Sequence, residues 1–187
     1  KSMPEGSGTS WDRFWDLKRQ GKLKTQQNPE NPKNRRTRPS LLIERDGKKL
    51  LIDTAPDFRE QMLRTGVRHL DGIILTHGHA DHLHGIDDVR SINRAMNAAI
   101  DLWADEETLQ AVSERFAYVV APLREGSGTF YKPTLVPHAF PSSRPFSVAG
   151  IDIQCFEQDH GFSTTHGLRF GPLAYTTDLV DLHDDAI

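Results

Sequence analysis

The chain has 187 residues, of which 36% are hydrophobic and 26% are charged, and its formal net charge is -3. This composition is typical of one soluble globular domain and argues against a disordered or fibrous protein. No apolar run approaches the roughly 18 to 20 residues of a transmembrane helix, and the N-terminus lacks the apolar segment of a secretory signal. We therefore expect a cytoplasmic protein with no membrane partner. Its single cysteine excludes a disulfide framework and a cysteine zinc site.

Residues 1–40 form a Gly-, Pro- and Asn-rich segment with ten Lys or Arg against four Asp or Glu. Within it the pattern predicts a short helix over 10–19, capped by Ser10. The basic run at 31–38 is suited to phosphate groups, although short basic runs are more often solvated loops. We therefore predict a separate N-terminal segment at 1–40. A small phosphorylated substrate is favoured as the partner, nucleic acid is less favoured, and homodimer formation is left open.

From residue 41 onward, the pattern predicts alternating strands and helices, which indicates an α/β fold. Strands are predicted at 41–44, 50–53, 72–75 and 101–104, and helices between Pro56 and Gly66, from near His82, and over 106–119. The second half turns to β structure, with strands predicted at 134–137, 145–148, 151–156, 167–170 and 173–177. Cys155 falls in an alternating apolar stretch and is predicted to be a buried strand residue rather than a reactive thiol.

The hexapeptide at 77–82, with the sequence HGHADH, directly follows the apolar run at 72–76. It contains three imidazoles and a carboxylate. Histidine is the commonest protein ligand of zinc and similar ions, and a carboxylate suits a second, harder metal. A coincidental surface cluster is the alternative, but such spacing arises rarely by chance. We interpret the hexapeptide as a metal site.

Two further ligand candidates lie just beyond predicted strand ends. His160 follows the strand at 151–156, and Asp178 follows the strand at 173–177. Loops at one edge of packed sheets would bring these residues to the hexapeptide. The sequence therefore makes a site for two metals plausible.

The HxHxDH pattern, the downstream histidine and the further aspartate resemble the metallo-β-lactamase superfamily. The segments at 31–36, 51–59, 76–90 and 176–178 are similar to the branch that contains the phosphoribosyl cyclic phosphate phosphodiesterase of the carbon-phosphorus lyase pathway. The resemblance implies an αββα sandwich whose metallo-hydrolase domain occupies 41–187. It also implies a phosphodiesterase that attacks small cyclic phosphate or nucleotide-like substrates through a metal-bound hydroxide.

The resemblance further implies roles for individual residues around two divalent ions, Zn or Mn. One ion would be held by His77, His79 and His160. The second would be held by Asp81 and His82, with Asp178 bridging the two. Asp81 would also orient the attacking hydroxide as a catalytic residue.

Two residues would support these ligands. Asp53 is expected to accept a hydrogen bond from a ligand imidazole, with a turn or capping carboxylate as the alternative. His84 is expected beside the ligands or the substrate, with ordinary helix-surface polarity as the alternative. The remaining single histidines are expected to be surface or hydrogen-bonded polar residues, with two of them, His138 and His166, left open: His69, His138, His166 and His183.

The family normally supplies another histidine to the second metal from a later segment. We therefore expect the αββα domain to be truncated at its C-terminal end, with that ligand and the leaving-group acid beyond Ile187. Two alternative functions stay open. One is RNA processing or another hydrolysis on the same fold, and the other is a non-hydrolytic protein resembling the branch member of pyrroloquinoline quinone biosynthesis.

Overall fold

The structure, a computed structural model, describes residues 36–141 and 144–182 together with residue 32. The chain divides into residues 1–37 and 38–187, and every helix and strand named below belongs to the second unit. The predicted helix over 10–19 and His183 lie outside the described residues. None of the described helices is long and apolar enough to span a bilayer.

The first sheet of the described chain is mostly parallel. Its five strands are β1 (Leu41–Arg45), β2 (Lys48–Ile52), β3 (Gly72–Ile74), β4 (Ile100–Ala104) and β5 (Leu135–Ala139). They lie side by side in chain order, with β1 antiparallel to β2 and each later neighbour parallel. The β1–β2 hairpin turns at Asp46 and Gly47, which lie between the two predicted strands.

Helices connect the parallel strands. They are α1 (Phe58–Thr65), α2 (Ala80–Leu83), a 3₁₀ turn (Ile86–Asp88), α3 (Val89–Met96), α4 (Glu106–Arg115) and α5 (Ala117–Val120). Parallel strands placed in chain order and joined by right-handed crossovers carry all their helices on the same face. The other face of the first sheet is therefore available for a second sheet.

The second sheet of the described chain is antiparallel. Its strands are β6 (Phe146–Val148), β7 (Ile151–Asp159), β8 (Thr164–Phe170), β9 (Leu173–Tyr175) and β10 (Asp181–Leu182). The path runs β10-β7-β8-β9, with β6 paired to β7. Ala149 and Gly150 join β6 to β7 with φ of 52° and 84°, the left-handed pair typical of a tight hairpin turn.

A single hydrophobic core joins the two sheets. Ile73 and Leu102 from the first sheet and Ile153 and Leu168 from the second are at most 1% exposed. Two sheets that share one core, with helices on the outer face of the first sheet, form the predicted α/β sandwich. The described residues supply both sheets and a helical layer of that architecture. Cys155 is buried in β7, which confirms its predicted place, and burial raises the pKa of its thiol to about 12.

Several predicted boundaries differ from the structure: the strand expected at 167–170 begins at Thr164, the one expected at 173–177 ends at Tyr175, and two further differences have a clear physical reason. The helix expected over 106–119 is interrupted at Phe116, which leaves the helical region at φ -133° and ψ 39° while its ring packs against the core. The strand expected to end at Phe156 continues to Asp159, because β7 pairs with β8 as far as the Asp159–Thr164 pair. The last three residues of β7 are polar, so the hydrophobic pattern did not mark them as strand. Gln158 is nevertheless fully buried.

Gly85 lies where no side chain fits, and this generates a prediction for the fold. A Cβ atom built at Gly85 would lie 1.9 Å from the carbonyl oxygen of Ala55. The Gly85 N–H also donates to the Thr54 carbonyl at 2.8 Å, so the two segments cannot separate without losing that bond. We expect Gly85→Ala to lower the free energy of unfolding by about 1–3 kcal/mol, measured by urea denaturation.

The matched control is Gly47→Asn, in the exposed β1–β2 turn. Gly47 has φ 77° and nothing within 4 Å of a built Cβ. Asparagine tolerates this left-handed backbone better than other side chains do. Equal stability of the two variants would contradict the close approach at Gly85.

Candidate metal centre

The ends of β2 and β3 bring the hexapeptide next to Asp53. Parallel neighbouring strands have their carboxyl ends at the same edge of a sheet, where ligand sites in open α/β sheets are typically found. Asp53 directly follows β2, and its N–H donates to the Ile74 carbonyl at 2.9 Å. The hexapeptide loop begins three residues after β3, and α2 starts within it at Ala80.

The other two ligand candidates come from the second sheet. β7 and β9 are both antiparallel to β8, so they run in the same direction and end at the same edge. His160 directly follows β7, and Asp178 lies three residues after β9. The Thr165 hydroxyl donates to the Asp178 carbonyl at 2.8 Å and holds that loop.

The structure brings the predicted residues together in two groups that share His77. One group consists of His77, His79 and His160, and the other of His77, His82 and Asp178. Within each group, the nitrogen or oxygen donors lie within 4.8 Å of one another. The ring centroids of His77 and His82 are 4.3 Å apart, and those of His79 and His160 are 5.2 Å apart.

The Asp53 carboxylate is fully buried and hydrogen bonded on all sides. It accepts from the Thr76 N–H at 2.8 Å, from the Thr76 hydroxyl at 2.9 Å, and from His82 Nδ1 at 2.8 Å. Burial raises the pKa of Asp53, while the bonds from His82 and Thr76 act in the opposite direction. When His82 is neutral and its Nδ1 donates to Asp53, its Nε2 carries the free lone pair.

Thr76 is a site residue that sequence reasoning missed. Its hydroxyl has one proton, which it gives to Asp53, so it must accept from His77 Nδ1 at 3.0 Å. This fixes the proton of His77 on Nδ1 and leaves Nε2 free. A polar residue directly before the hexapeptide is the signal that could have identified it.

The pKa values of His77 and His82 shift in opposite directions. Burial, followed by the neighbouring imidazoles of His82, His79 and His160, lowers the pKa of His77 to about 3. His77 is therefore neutral, as a metal ligand must be. Burial alone would lower the pKa of His82, but the hydrogen bond and charge of Asp53 raise it overall.

Three buried ring nitrogens have no hydrogen-bond partner among the described residues. They are Nε2 of His77, Nε2 of His82 and Nδ1 of His160. Buried polar atoms are almost always satisfied, and a set of converging exceptions calls for a ligand. An electron-pair acceptor that takes imidazole nitrogens, such as Zn or Mn, fits these donors.

Asp81 and His84 lie outside the two groups. Asp81 Oδ2 lies 4.0 Å from His82 Nε2, and the Asp81 side chain is 38% exposed. In the second group His77 accompanies His82 and Asp178 where the resemblance implied Asp81. His84 is exposed with its ring 5.5 Å from that of Phe116. The ligand and catalytic roles stay predictions.

His138 and His166 have different environments. His138 stacks on Trp103 at 4.6 Å and contacts Asp101 through Nε2 at 2.9 Å, away from the imidazole cluster. His166 lies inside β8 and is buried. Its backbone N–H and its Nδ1 both contact the Thr76 carbonyl, at 3.1 and 3.3 Å. His166 thus ties the second sheet to the start of the hexapeptide loop.

This geometry agrees with a family match. Residues 48–187 match the model of the beta-lactamase superfamily domain, and this range includes strands β2 to β10 and both ligand groups. The chain belongs to the beta-lactamase superfamily.

The chain is also similar to three individual proteins. A crystal structure described as a new diphosphatase from the PhnP family is 36% identical with a TM-score of 0.71, covering 83% of this chain and 58% of that one. An octanoyltransferase of Porphyromonas gingivalis is 35% identical over 159 residues, which are 84% of this chain and 31% of that protein. A ribonuclease Z of Bradyrhizobium diazoefficiens is 47% identical over 57 residues, or 29% of this chain and 19% of that protein. The chain thus spans less than two thirds of each.

The Asp53 carboxylate yields the first prediction for the site. Asp53→Asn replaces one of its two acceptor oxygens by an NH₂ donor, although Thr76 and His82 supply three donated bonds. We expect a loss of about 10- to 100-fold in affinity for Zn, measured by competition with a chromogenic chelator. The matched control is Asp46→Asn, because Asp46 has a similar φ of 51° against 63° for Asp53 but lies in an exposed turn. Equal Zn affinity in both variants would contradict the role of Asp53.

The Thr76 hydroxyl yields the second. Thr76→Val keeps the shape of a fully buried side chain but leaves His77 Nδ1 and Asp53 without their shared partner. We expect Zn affinity to fall and the free energy of unfolding to drop by about 1–3 kcal/mol. Thr76→Ser retains the hydroxyl and should keep most of the Zn affinity. If Ser and Val bind Zn equally, the hydroxyl does not orient His77.

Proposed function

We propose that this protein is a metal-dependent hydrolase that cleaves phosphodiester or diphosphate bonds in small phosphorylated molecules. One observation carries the proposal. Two groups of potential ligands share His77, and the buried ring nitrogens of His77, His82 and His160 lack partners among the described residues. A pair of cations held side by side is the common arrangement for phosphoryl hydrolysis.

The choice of phosphorus substrates is supported by the comparison with the diphosphatase. That protein is 36% identical to this chain, and the aligned part covers 58% of its length. The basic segment at 1–40, with ten Lys or Arg, also suits a phosphorylated substrate. Cyclic phosphates and nucleotide-like diphosphates are the substrates we would test.

The residues divide into holding and orienting roles. His77, His79 and His160 would hold one ion, and His82 and Asp178, whose Oδ2 lies 3.5 Å from His82 Nε2, would hold the other. Zn or Mn, when bound, would lower the pKa of a coordinated water and stabilise negative charge on the phosphoryl oxygens. Asp53 and Thr76 contact Nδ1 of His82 and of His77, so that the Nε2 atoms of both rings would be available to bind the ions.

Asp81 is the candidate general base that would accept a proton from the attacking water. Its Oδ2 lies 4.0 Å from His82 Nε2 and its side chain is partly exposed, so it can reach both the ligand group and solvent. A carboxylate at this place would accept a hydrogen bond from the water and align it with the phosphorus atom.

The hydrolytic activity can be measured directly. We expect the purified protein to hydrolyse bis(p-nitrophenyl) phosphate, nucleoside 2′,3′-cyclic phosphates or a dinucleoside diphosphate in the presence of Zn or Mn. A chelator should abolish turnover, because the imidazole nitrogens alone offer no charge to the phosphoryl oxygens, and added metal should restore it. Metal binding without turnover of any of these substrates would refute the proposal and favour a non-hydrolytic pathway protein.

The role of Asp81 is tested by Asp81→Asn. We expect kcat to fall by about 10²- to 10⁴-fold, since the amide cannot take a proton from water. Metal content, measured by atomic absorption, should stay at one ion per chain or more because the first histidine group is untouched. Asp152→Asn, on the exposed start of β7, is the control for the same chemical change. An active Asp81→Asn variant would rule out this role.

RNA processing is the second candidate, favoured by a specific observation. The ribonuclease Z of Bradyrhizobium diazoefficiens is 47% identical over 57 residues, but this stretch is only 19% of that protein. A precursor tRNA assayed beside the small phosphodiesters separates the two functions. Cleavage of the tRNA with no turnover of small substrates would replace our first proposal by this one.

A further inference from the structure

A cavity of about 470 Å³ lies at the edge of the two sheets that carries the ligand groups. Its walls come from the ends of β4 and β5 in the first sheet and from β7 and β8 in the second, namely residues 105–107, 139–141, Glu157, Thr164 and His166. Three of these residues, Asp105, Glu107 and Thr164, also line a smaller cavity beside His77 and His79. The large cavity is therefore next to the proposed reaction centre, with room for an organic group of several heavy atoms.

The walls of this cavity carry charge of one sign. Four carboxylates line it, those of Asp105, Glu106, Glu107 and Glu157, and its lining in the described part of the chain includes neither Lys nor Arg. Asp105 is partly engaged as the cap of α4, where its Oδ1 accepts from the Thr108 N–H at 3.3 Å. A cleft lined by one sign of charge concentrates ions of the opposite sign. The cavity therefore favours a cationic group.

Glu157 ends an apolar row on β7. Side chains alternate along a strand, so Ile151, Ile153, Cys155 and Glu157 share one face of the sheet. The first three are buried in the core. The pKa of Cys155 is raised by burial and then by the charges of Asp105 and Glu157, in agreement with two carboxylates near the thiol. The core-facing row of β7 thus reaches a carboxylate where the core gives way to the cavity.

His166 supplies an independent indication of a ligand. It is only 4% exposed and lies directly opposite Glu157 on β8, so the two side chains share a face. Its Nδ1 donates to the Thr76 carbonyl at 3.3 Å, because a carbonyl oxygen can only accept. Its Nε2 has no hydrogen-bond partner among the described residues but, unlike the three ring nitrogens above, is not closed off from solvent. In the neutral ring this Nε2 is an acceptor, so a group in the cavity that donates a hydrogen bond would satisfy it.

An organic ammonium group fits these acceptors better than a metal ion does. Within the described residues, groups of three ligand atoms close enough to hold a metal occur only around His77. The carboxylates of the cavity and His166 do not form such a group, so they are too widely spaced for one ion. A primary ammonium carries three N–H donors and can bind separate acceptors at the same time.

We propose that this cavity binds an ammonium group of the substrate, with the Glu157 carboxylate and His166 Nε2 as its acceptors. The inference rests on the proposed hydrolase function and narrows the substrates to phosphate esters that carry an amine near the cleaved bond. The phosphorus centre would lie at the ligand groups around His77, and the amine would extend past Thr164 into the cavity. Such a substrate has opposite charges at its two ends, as the two parts of the site have.

The test compares two chromogenic diesters of similar size, 4-aminobutyl p-nitrophenyl phosphate and n-pentyl p-nitrophenyl phosphate. In them a methyl group replaces the ammonium. With the metal-loaded protein we expect the amine ester to have the lower KM. In Glu157→Gln its KM should rise about tenfold, as for a lost bond to a charged group, while KM of the pentyl ester and both kcat values stay the same. Equal KM values for the two esters, or an equal change for both in the variant, would overturn the inference.

The trimethylammonium form of the amine ester tests the hydrogen bond to His166. It keeps the positive charge but has no N–H, so it can be attracted by Glu157 but cannot donate to Nε2. We expect its KM to lie between those of the amine and pentyl esters. A KM equal to that of the amine ester would overturn the assignment of His166 as an acceptor.

The control is Glu114→Gln, which removes the same charge. Glu114 lies on α4 outside the cavity, and its Oε1 accepts from the Gln110 amide at 2.8 Å. Its kinetic constants should equal those of the unchanged protein on both esters. A rise in KM of the amine ester that matched Glu157→Gln would show a general effect of removing negative charge and overturn the inference.

A binding measurement separates failure of this inference from failure of the proposed function. The full chain is titrated with spermidine by calorimetry, with circular dichroism to verify the folding of each variant. We expect binding that weakens about tenfold in Glu157→Gln and stays unchanged in Glu114→Gln. If turnover is absent but this difference is found, the proposed hydrolysis fails and the amine site stands. Spermidine binding that is absent, or equal in the two variants, overturns the amine site even if the protein is a hydrolase.

Discussion

Burial of the Asp53 carboxylate at the end of β2 links the first sheet to the histidine cluster. An ionised carboxylate in an apolar interior is costly unless hydrogen bonds replace its hydration. Asp53 is fully buried, and the bonds that compensate it come from the backbone and hydroxyl of Thr76 and from His82. The core cannot enclose this carboxylate without also drawing the hexapeptide loop and α2 onto the end of the sheet. Folding of the sheet and assembly of the site are therefore one event.

The same bonds determine which atoms the imidazoles present. A neutral imidazole has one donor and one acceptor nitrogen, and an acceptor on one side commits the proton to that side. Asp53 accepts a hydrogen bond from His82 Nδ1 directly, and by accepting from the Thr76 hydroxyl it turns the lone pairs of that hydroxyl toward His77 Nδ1. One carboxylate thus orients two imidazole rings, that of His82 directly and that of His77 through Thr76. His77 belongs to both ligand groups, and its ring is buried.

The sequence predicted the parts of this site that depend on local spacing or on strand ends. The hexapeptide, His160 and Asp178 were found because each follows an apolar strand, and such ends meet at one edge of a sheet. The Thr76 relay and the place of His77 in both groups were not predicted, since they depend on side-chain directions after packing. The polar end of β7 was missed for a related reason. Gln158 is polar but fully buried, so a hydrophobic pattern does not mark its position.

The second sheet completes the support from the opposite side. His166 in β8 directs both its backbone N–H and its Nδ1 to the Thr76 carbonyl, while Asp53 binds the N–H and hydroxyl of the same residue. Thr76 is thus held by both sheets one residue before the first ligand candidate. The buried half of the cluster, His77 and His82, is fixed by these contacts, whereas His79 and Asp178 are exposed. A rigid inner half and an accessible outer half are what a site needs when its geometry must be preorganised and its substrate must still enter.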